Sequence, residues 1–268
     1  MLNYFNNNDN FIYIIQSTLY GIASQEDIVQ SKHGKSSYVF FVNTENGAYL
    51  FKFPRTDFQV NNIEREKIVT DAIRQHIDCK IPDISIGSFQ NKKFAYYQLI
   101  KGNNMSDVDL DDCEQFTLSL QLANIISNFT NIKANDINLK LKTKREIIEE
   151  FCKDFSYKPD FSSIEDVIDD NENIIHGDFH RSNILLDSHK NVCGLLDFST
   201  FCYGSIYFDI GHMCFSMYEQ FNEKFINACE QYLNKSLDIN KLKRVISFLD
   251  DMINKHYLPY IKKGDTNV

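Results

Sequence analysis

The chain has 268 residues, of which 43% are hydrophobic and 24% charged, and its formal net charge is −9. This is ordinary globular composition, and the length allows a sizeable core in one large or two modest domains. Affinity for a phosphate backbone comes from clustered Lys and Arg, so an acidic chain without a basic run argues against a nucleic-acid partner. The excess acid fits either plain solubility or a cationic substrate.

Seven cysteines occur, an odd number, and no two form a C-x-x-C pair. This pattern predicts neither a disulfide framework nor a zinc site, and reduced thiols favour a cytoplasmic protein. The Asn-rich start lacks the basic region of a signal peptide, and no apolar stretch approaches the length of a membrane-spanning helix. We therefore predict no membrane partner.

Residues 1–100 are predicted to be mostly strand with one helix. The predicted elements, in chain order, are a strand at Tyr38–Val42, a turn at Thr44–Gly47, a returning strand at Ala48–Phe53 ended by Pro54, a helix at Asn61–Ile77 and a strand at Phe94–Ile100. The run Lys101–Asn104 breaks the pattern and predicts a hinge between two lobes.

Residues 101–268 are predicted to be mainly helical. The predicted helices contain Leu118–Phe129 with Asp111 or Asp112 as cap, Thr143–Phe155, a short helix with a Ser162/Glu165 capping box, Asp209–Tyr218, Glu223–Leu233 and Asn240–Ile261. The fold class is therefore α+β, with a small, mostly antiparallel β region followed by a larger helical one.

A hairpin with polar residues at its open end lies between these helices. Two apolar runs, Ile184–Asp187 and Val192–Asp197, flank a four-residue turn. Pairing Asp187 with Val192 puts Asn183 opposite Leu196, so Asn183 and Asp197 share one end of the hairpin. Asp178 lies in the loop just before. Oxygen ligands of this kind suit magnesium, and together with a carboxylate they are what phosphoryl transfer requires.

The segment His176–Leu185 matches H-G-D-x-H-x-x-N-x-L at every specified position. In this it resembles the aminoglycoside phosphotransferase and choline kinase superfamily, relatives of protein kinases. The runs Phe51–Arg55 and Cys193–Phe198 look most like the aminoglycoside 2″-phosphotransferase branch. The resemblance implies a bilobal, protein-kinase-like fold, with a nucleotide-binding lobe at residues 1–100 and a catalytic and substrate lobe at residues 101–268.

By this resemblance, Asp178 is the catalytic carboxylate facing the acceptor hydroxyl, and Asn183 and Asp197 hold Mg²⁺. His176 and Asp209 support the loop; alternatively, Asp209 is a helix N-terminal residue. His180 either braces the loop by hydrogen bonds or is a buried, satisfied histidine. Ser199 replaces the Gly of D-F-G, and no activation segment fits before Asp209, which argues against a protein substrate.

The nucleotide is expected to be ATP or GTP. Lys52 matches the lysine that contacts the α- and β-phosphates, and its expected partner is Glu66, with Glu64 as the alternative. A phosphate-covering loop is expected at residues 31–37, where the hydroxyls of Ser36 and Ser37 are candidates. The backbone of Gln98, Leu99 and Ile100 is expected to bind the base.

The acceptor is expected to be a small-molecule hydroxyl, first of all that of an aminoglycoside, in an antibiotic-resistance role. Acidic residues of the late helices could bind such a polycation or simply form a solvated face: Glu219, Glu223, Glu230, Asp250 and Asp251. Choline, homoserine, a sugar or another antibiotic are alternative acceptors. A nucleotide-binding pseudoenzyme is the alternative from a different class. The sequence does not indicate the oligomeric state.

Overall fold

The computed structural model describes residues 4–6, 9–31, 37–153 and 155–259. The chain forms two compact units, unit 1 with Met1–Asp71 and Ile81–Ile100, and unit 2 with Ala72–Lys80 and Lys101–Val268. Within the described ranges, no helix is both long and apolar enough to cross a membrane.

Unit 1 contains a five-stranded antiparallel sheet with the strand order β1-β2-β3-β5-β4. Its elements are helix α1 (Phe11–Thr18), strands β1 (Ile28–Gln30), β2 (Ser37–Thr44) and β3 (Gly47–Pro54), helix α2 (Asp57–Ile73), whose last two residues are counted with unit 2, and strands β4 (Ser85–Phe89) and β5 (Lys92–Gln98). The predicted hairpin is confirmed, because Thr44 pairs with Gly47 across a two-residue turn. Helix α1 and strands β1 and β4 were not predicted.

The alternation of side chains along β3 divides the core of unit 1 between the two faces of the sheet. Phe51 and Phe53 belong to a mainly aromatic core that also includes Ile14 of α1. Leu50 points the other way, into a smaller core with Ile63 of α2. Lys52 follows the same alternation and therefore faces α2.

Helix α2 begins four residues earlier than predicted. Thr56 accounts for this, because its hydroxyl oxygen accepts from the amide of Gln59 and its carbonyl from the amide of Val60. The helix ends at Ile73 and continues as a 3₁₀ turn at Arg74–His76.

Unit 2 is mainly helical, with short strands around the predicted motif. Its elements are β6 (Asn103–Asn104), α3 (Asp112–Asn131), α4 (Ala134–Ile137), α5 (Lys144–Lys153), α6 (Glu165–Ile168), β7 (Asn173–Ile175), β8 (Ile184–Leu186), β9 (Val192–Leu195), β10 (Cys202–Gly204), α7 (Ile206–Ser216), α8 (Glu219–Leu233) and α9 (Ile239–Asp250). Asp111, one of the two predicted caps, caps α3 in a reciprocal capping box with Glu114. Helix α3 packs on α8, and α7 on α9.

One local prediction in unit 2 is wrong. Ser162 does not cap a helix, because a 3₁₀ turn at Ser162–Ile164 precedes α6 and Ile164 occupies the cap position. The last predicted helix is helical over its described residues, as an α-helix to Asp250 and then as a π-helix at Asp251–Tyr257. The fold class itself is confirmed, since an antiparallel sheet with helices precedes a mainly helical region.

Candidate active site

The register of the β8–β9 hairpin is the one predicted at its open end. Ile184 pairs with Leu195, and the amide of Leu196 donates to the carbonyl of Asn183 at 2.9 Å. Near the turn a bulge shifts the pairing, so that Leu186, not Asp187, lies opposite Val192. Because the bulge lies on the turn side, it leaves Asn183 opposite Leu196.

Asp178 and Asn183 are in direct contact. The side-chain nitrogen of Asn183, Nδ2, donates to the backbone carbonyl oxygen of Asp178 at 3.0 Å and lies 3.4 Å from the carboxylate oxygen Oδ2 of Asp178. These contacts fix the orientation of the amide and leave Oδ1 of Asn183 accepting no hydrogen bond from any described residue. A nearly buried amide oxygen is thus available to a ligand.

Asp197 adopts left-handed backbone angles, with φ 62° and ψ 70°. A non-glycine residue there stores about 1–2 kcal/mol of strain, and such positions cluster at functional sites. The hydroxyl of Ser199 donates to Oδ1 of Asp197 at 2.7 Å. This serine, at the departure from D-F-G, therefore holds one oxygen of the carboxylate.

His176 connects the two segments that carry Asp178 and Asp197. Its Nδ1 accepts from the amide of Asp178 at 3.3 Å, so the proton lies on Nε2, which donates to the carbonyl of Leu196 at 3.1 Å. The ring is fully buried, and burial lowers its pKa to about 4, which keeps it neutral.

An aromatic floor supports this arrangement. The ring of Phe129 in α3 lies 6.2 Å from that of His176 and 5.8–6.5 Å from those of three buried phenylalanines, Phe179, Phe198 and Phe201. Close packing of such rings resists displacement of the loop.

Asp209 binds the backbone of the two residues that precede Asp178. Its two carboxylate oxygens accept from the amides of His176 and Gly177, each at 2.8 Å, and it lies in the first turn of α7. Burial raises the pKa of Asp209 to about 6, and the two amide hydrogen bonds oppose this. The buried ammonium of Lys144 donates to the carbonyl of Gly177. The carboxylate and the ammonium thus fix Gly177 from both of its backbone groups.

The Asp178 carboxylate is one third exposed and lies between two histidines. Nε2 of His180 lies 3.3 Å from Oδ2, and Nδ1 of His212 lies 3.4 Å from Oδ1. Burial, the largest single effect, would raise the pKa of Asp178, but His180, His212 and Lys144 together outweigh it and hold that pKa well below its usual range. Nδ1 of His180 accepts from the amide of Ser182, so His180 braces the loop by hydrogen bonds.

The donor set of Asn183 and Asp197 fits magnesium in its chemistry. Mg²⁺ prefers oxygen, and it is commonly bound through one or two carboxylates together with substrate phosphates and water. Asn183 offers its free side-chain oxygen, and Asp197 offers Oδ2, the carboxylate oxygen to which Ser199 does not donate. Among the described residues no group of three or more His, Cys, Asp or Glu is arranged to hold a metal. Asn183 and Asp197 thus supply two protein oxygen donors, which suits an ion whose other ligands are phosphate and water oxygens.

In unit 1, Lys52 pairs with Glu66 across a distance of 3.1 Å, and the glutamate is 2% exposed. This is the first-choice partner, and the two meet because Lys52 lies on the sheet face that α2 covers and Glu66 lies on α2. The alternative partner, Glu64, forms an ion pair with Lys93 instead.

The other predicted nucleotide residues are only partly described. Ser36 lies outside the described residues, and Ser37 is a buried first residue of β2. Gln98 ends β5, and the amide of Leu99 donates to the carbonyl of Ala48 at 2.8 Å. The Leu99 amide is thus already bonded within unit 1, whereas its carbonyl and the backbone of Ile100 have no such bond in the sheet register.

The late acidic residues divide into two groups. Three already have partners. Glu230 accepts a hydrogen bond from the backbone amide of Leu237, Asp250 accepts one from the side chain of Asn254, and Asp251 forms an ion pair with Lys255. Glu219 and Glu223, in the first turns of α8, are exposed. Only these two remain candidates for binding a cationic acceptor.

Sequence reasoning missed Lys144 and His212. Lys144 begins a helix like any exposed lysine, and its burial depends on a contact with residue 177. His212 lies in the apolar run Ile210–Phe215, one turn after Asp209. A histidine on the same helix face as a supporting aspartate is the one signal that could have identified it.

Solved structures share this fold. The apoenzyme of macrolide 2'-phosphotransferase MphH from Brachybacterium faecium has a TM-score of 0.64 and 14% identity, covering 90% of this chain and 89% of that one. The GDP and kanamycin complex of APH(2")-IIia has a TM-score of 0.68 and 17% identity, with 96% of each chain covered. Macrolide 2'-phosphotransferase type I has a TM-score of 0.66 and 12% identity, with 98% of each covered.

No curated protein sequence matches the chain. At these identities the structural likenesses establish the fold alone. The sequence model of the phosphotransferase enzyme family (APH) matches residues 27–241. Because this match spans well over half of the chain, the protein belongs to the phosphotransferase enzyme family.

Proposed function

We propose that the protein transfers the γ-phosphoryl group of ATP or GTP to a hydroxyl of a small molecule. The observation that carries this is the contact between Asp178 and Asn183, which leaves a partly exposed carboxylate beside a free amide oxygen. A family of phosphotransferases supplies the reaction class, and the loop supplies the groups that such a reaction uses.

In the proposed reaction, the acceptor oxygen bonds to the γ-phosphorus and the bond to the β–γ bridging oxygen breaks, releasing a nucleoside diphosphate. The acceptor's proton passes to Asp178. Asn183 and Asp197 would hold Mg²⁺, which supplies neutralisation of charge on the phosphate oxygens. Lys52, paired with Glu66, would bind the α- and β-phosphates. Positioning and electrostatics would provide most of the acceleration.

We propose an aminoglycoside as the first acceptor. The branch-like runs at Phe51–Arg55 and Cys193–Phe198 support this, as does the net charge of −9. A macrolide is the second candidate, because two of the similar structures are macrolide phosphotransferases. Choline, homoserine and sugars remain within the same reaction class. With either antibiotic as acceptor, we propose a cytoplasmic role in antibiotic resistance.

The test is release of nucleoside diphosphate with kanamycin, erythromycin, choline, homoserine and glucose, each with Mg-ATP and Mg-GTP. Asp178→Asn should lower kcat by about 10²–10⁴-fold, since it removes the base, while nucleotide binding persists. Asp109→Asn, at an exposed residue of the same unit, is the matched control and should retain wild-type turnover. Nucleotide binding without turnover on any acceptor would favour a pseudoenzyme, and an active Asp178→Asn would refute the assignment.

A further inference from the structure

His212 occupies a position where an apolar side chain would be expected. Its neighbours in α7, from Ile210 to Cys214, are all buried, and His212 itself is 5% exposed. Its Nε2 is buried and has no hydrogen-bond partner among the residues that the structure describes. Leaving a buried polar nitrogen unpaired costs roughly 1–3 kcal/mol. Packing therefore does not account for a histidine here.

The other ring nitrogen faces the candidate catalytic carboxylate. Nδ1 of His212 lies 3.4 Å from Oδ1 of Asp178. This is long for a hydrogen bond, but contacts at unliganded catalytic sites are often long and tighten when substrate binds. Burial, and next the nearby ammonium of Lys144, lower the pKa of His212 to about 3, so the ring is neutral and carries one proton.

The position of that proton follows from the partner. An ionised carboxylate only accepts, so a proton on Nδ1 forms a bond with it, whereas a proton on Nε2 would set two lone pairs against each other. The number of donors that face each carboxylate oxygen also indicates which oxygen can take up a proton. Among the described residues, Oδ2 of Asp178 is faced by both His180 and Asn183, and Oδ1 only by His212. Within the described site, the remaining lone pair therefore belongs to Oδ1.

We propose that His212 is a positioning residue for the phosphotransfer reaction: its Nδ1–H holds Oδ1 of Asp178, the oxygen that takes the acceptor's proton. With His180 on the other oxygen, it prevents rotation of the carboxylate plane. This inference rests on the proposed function, because it assigns the proton to Asp178. The ring orientation that places Nδ1 against Asp178 then leaves Nε2 unpaired, at the free-energy cost given above.

The test compares two substitutions of His212, by asparagine and by glutamine, whose side-chain amides differ in length. The side-chain nitrogen of Asn superimposes closely on Nδ1, and that of Gln on Nε2. With kanamycin, or whichever acceptor of the panel the wild type uses, His212→Asn should keep kcat within about threefold of wild type. His212→Gln should lower kcat roughly 10- to 100-fold at unchanged KM for nucleotide. Equal kcat values for the two variants would overturn the proposal.

A double-mutant comparison separates this role from a structural one. If His212 acts through Asp178, adding His212→Gln to Asp178→Asn should cause no further loss of kcat, whereas independent effects would add. Spectra of ¹⁵N-labelled histidine provide a readout that needs no turnover. The proton should reside on Nδ1 of His212, and its signal should shift in Asp178→Asn. A proton on Nε2 would refute the inference even if phosphotransfer is confirmed. Absent turnover with the proton on Nδ1 would refute the proposed function, and with it the role in catalysis, but would leave the hydrogen bond to Asp178 established.

Discussion

Replacing Gly177 by alanine should separate the two segments of the candidate site. Gly177 has φ +82°, and a Cβ atom built on it would lie 2.3 Å from the carbonyl oxygen of Thr200. Real Cβ atoms essentially never approach closer than 3.0 Å, so the two backbones must move apart by at least 0.7 Å. One of these backbones leads into Asp178, and the other belongs to the 3₁₀ turn that follows Asp197.

The cost has two parts. A left-handed alanine costs about 1–2 kcal/mol, and overpacking against a backbone atom a further 1–3 kcal/mol or so. The free energy of unfolding should therefore fall by about 2–5 kcal/mol. Displacing a catalytic group by close to 1 Å can cost about 10²-fold, so kcat should fall roughly 10- to 100-fold.

Gly21 provides the matched control. Its φ is +77°, yet a Cβ there would meet nothing within 4 Å. Gly21→Ala thus introduces the same backbone strain without the clash, and should lower stability by about 1–2 kcal/mol and leave kcat unchanged. Urea unfolding and diphosphate release on the two variants measure both effects. If Gly177→Ala lost no more stability than Gly21→Ala and kept wild-type kcat, the close approach would play no part in building the site.

Three further changes test other parts of the site. Glu66→Gln should weaken nucleotide binding and lower stability by about 3 kcal/mol, because it removes the charged partner of a mostly buried lysine. Glu64→Gln, in an ion pair whose partners are 46% and 39% exposed, should do neither by calorimetry. Asp209→Asn should lower the free energy of unfolding by about 2–3 kcal/mol and reduce kcat, because the NH₂ group of asparagine would then face a backbone N–H where a carboxylate oxygen had accepted a hydrogen bond. Wild-type stability together with wild-type kcat would contradict the supporting role of Asp209. The buried rings of His176 and His212 have folded-state pKa values of about 4 and 3, below the unfolded value of 6.5. The unfolded chain therefore binds protons first as the pH falls from 6.5 towards 4, and each ring should cost about 2 kcal/mol of stability by pH 5. Urea unfolding at pH 7.5 and pH 5 should show a smaller acid loss for His212→Leu than for wild type, and an equal loss would contradict neutral burial.

Where local patterns decide the structure, the sequence was sufficient. The Asn-Gly turn after Thr44 and the cap at Asp111 are short-range signals, and both form as predicted. The pairing of Asn183 with Leu196 was also predictable, because alternation of side chains fixes a strand register wherever one face is buried. The bulge near Leu186 did not matter, since it displaces only residues on the turn side.

Where long-range contacts decide, sequence patterns were insufficient. Lys144 is buried because it meets the carbonyl of Gly177, 33 residues away. The significance of His212 lies in its distance to Asp178, which no periodicity encodes. The short strands β1 and β4 form only because β2 and β5 offer edges to pair with, and three to five residues carry little signal of their own.

The most direct test of the central claim is to locate the divalent ion. Crystals grown with Mn²⁺ in place of Mg²⁺ and a non-hydrolysable ATP or GTP analogue would give the ion's position by anomalous scattering. We predict an ion about 2.1 Å from Oδ1 of Asn183 and from a carboxylate oxygen of Asp197, with phosphate oxygens completing its coordination. A nucleotide-bound ion that neither residue coordinates would contradict the account.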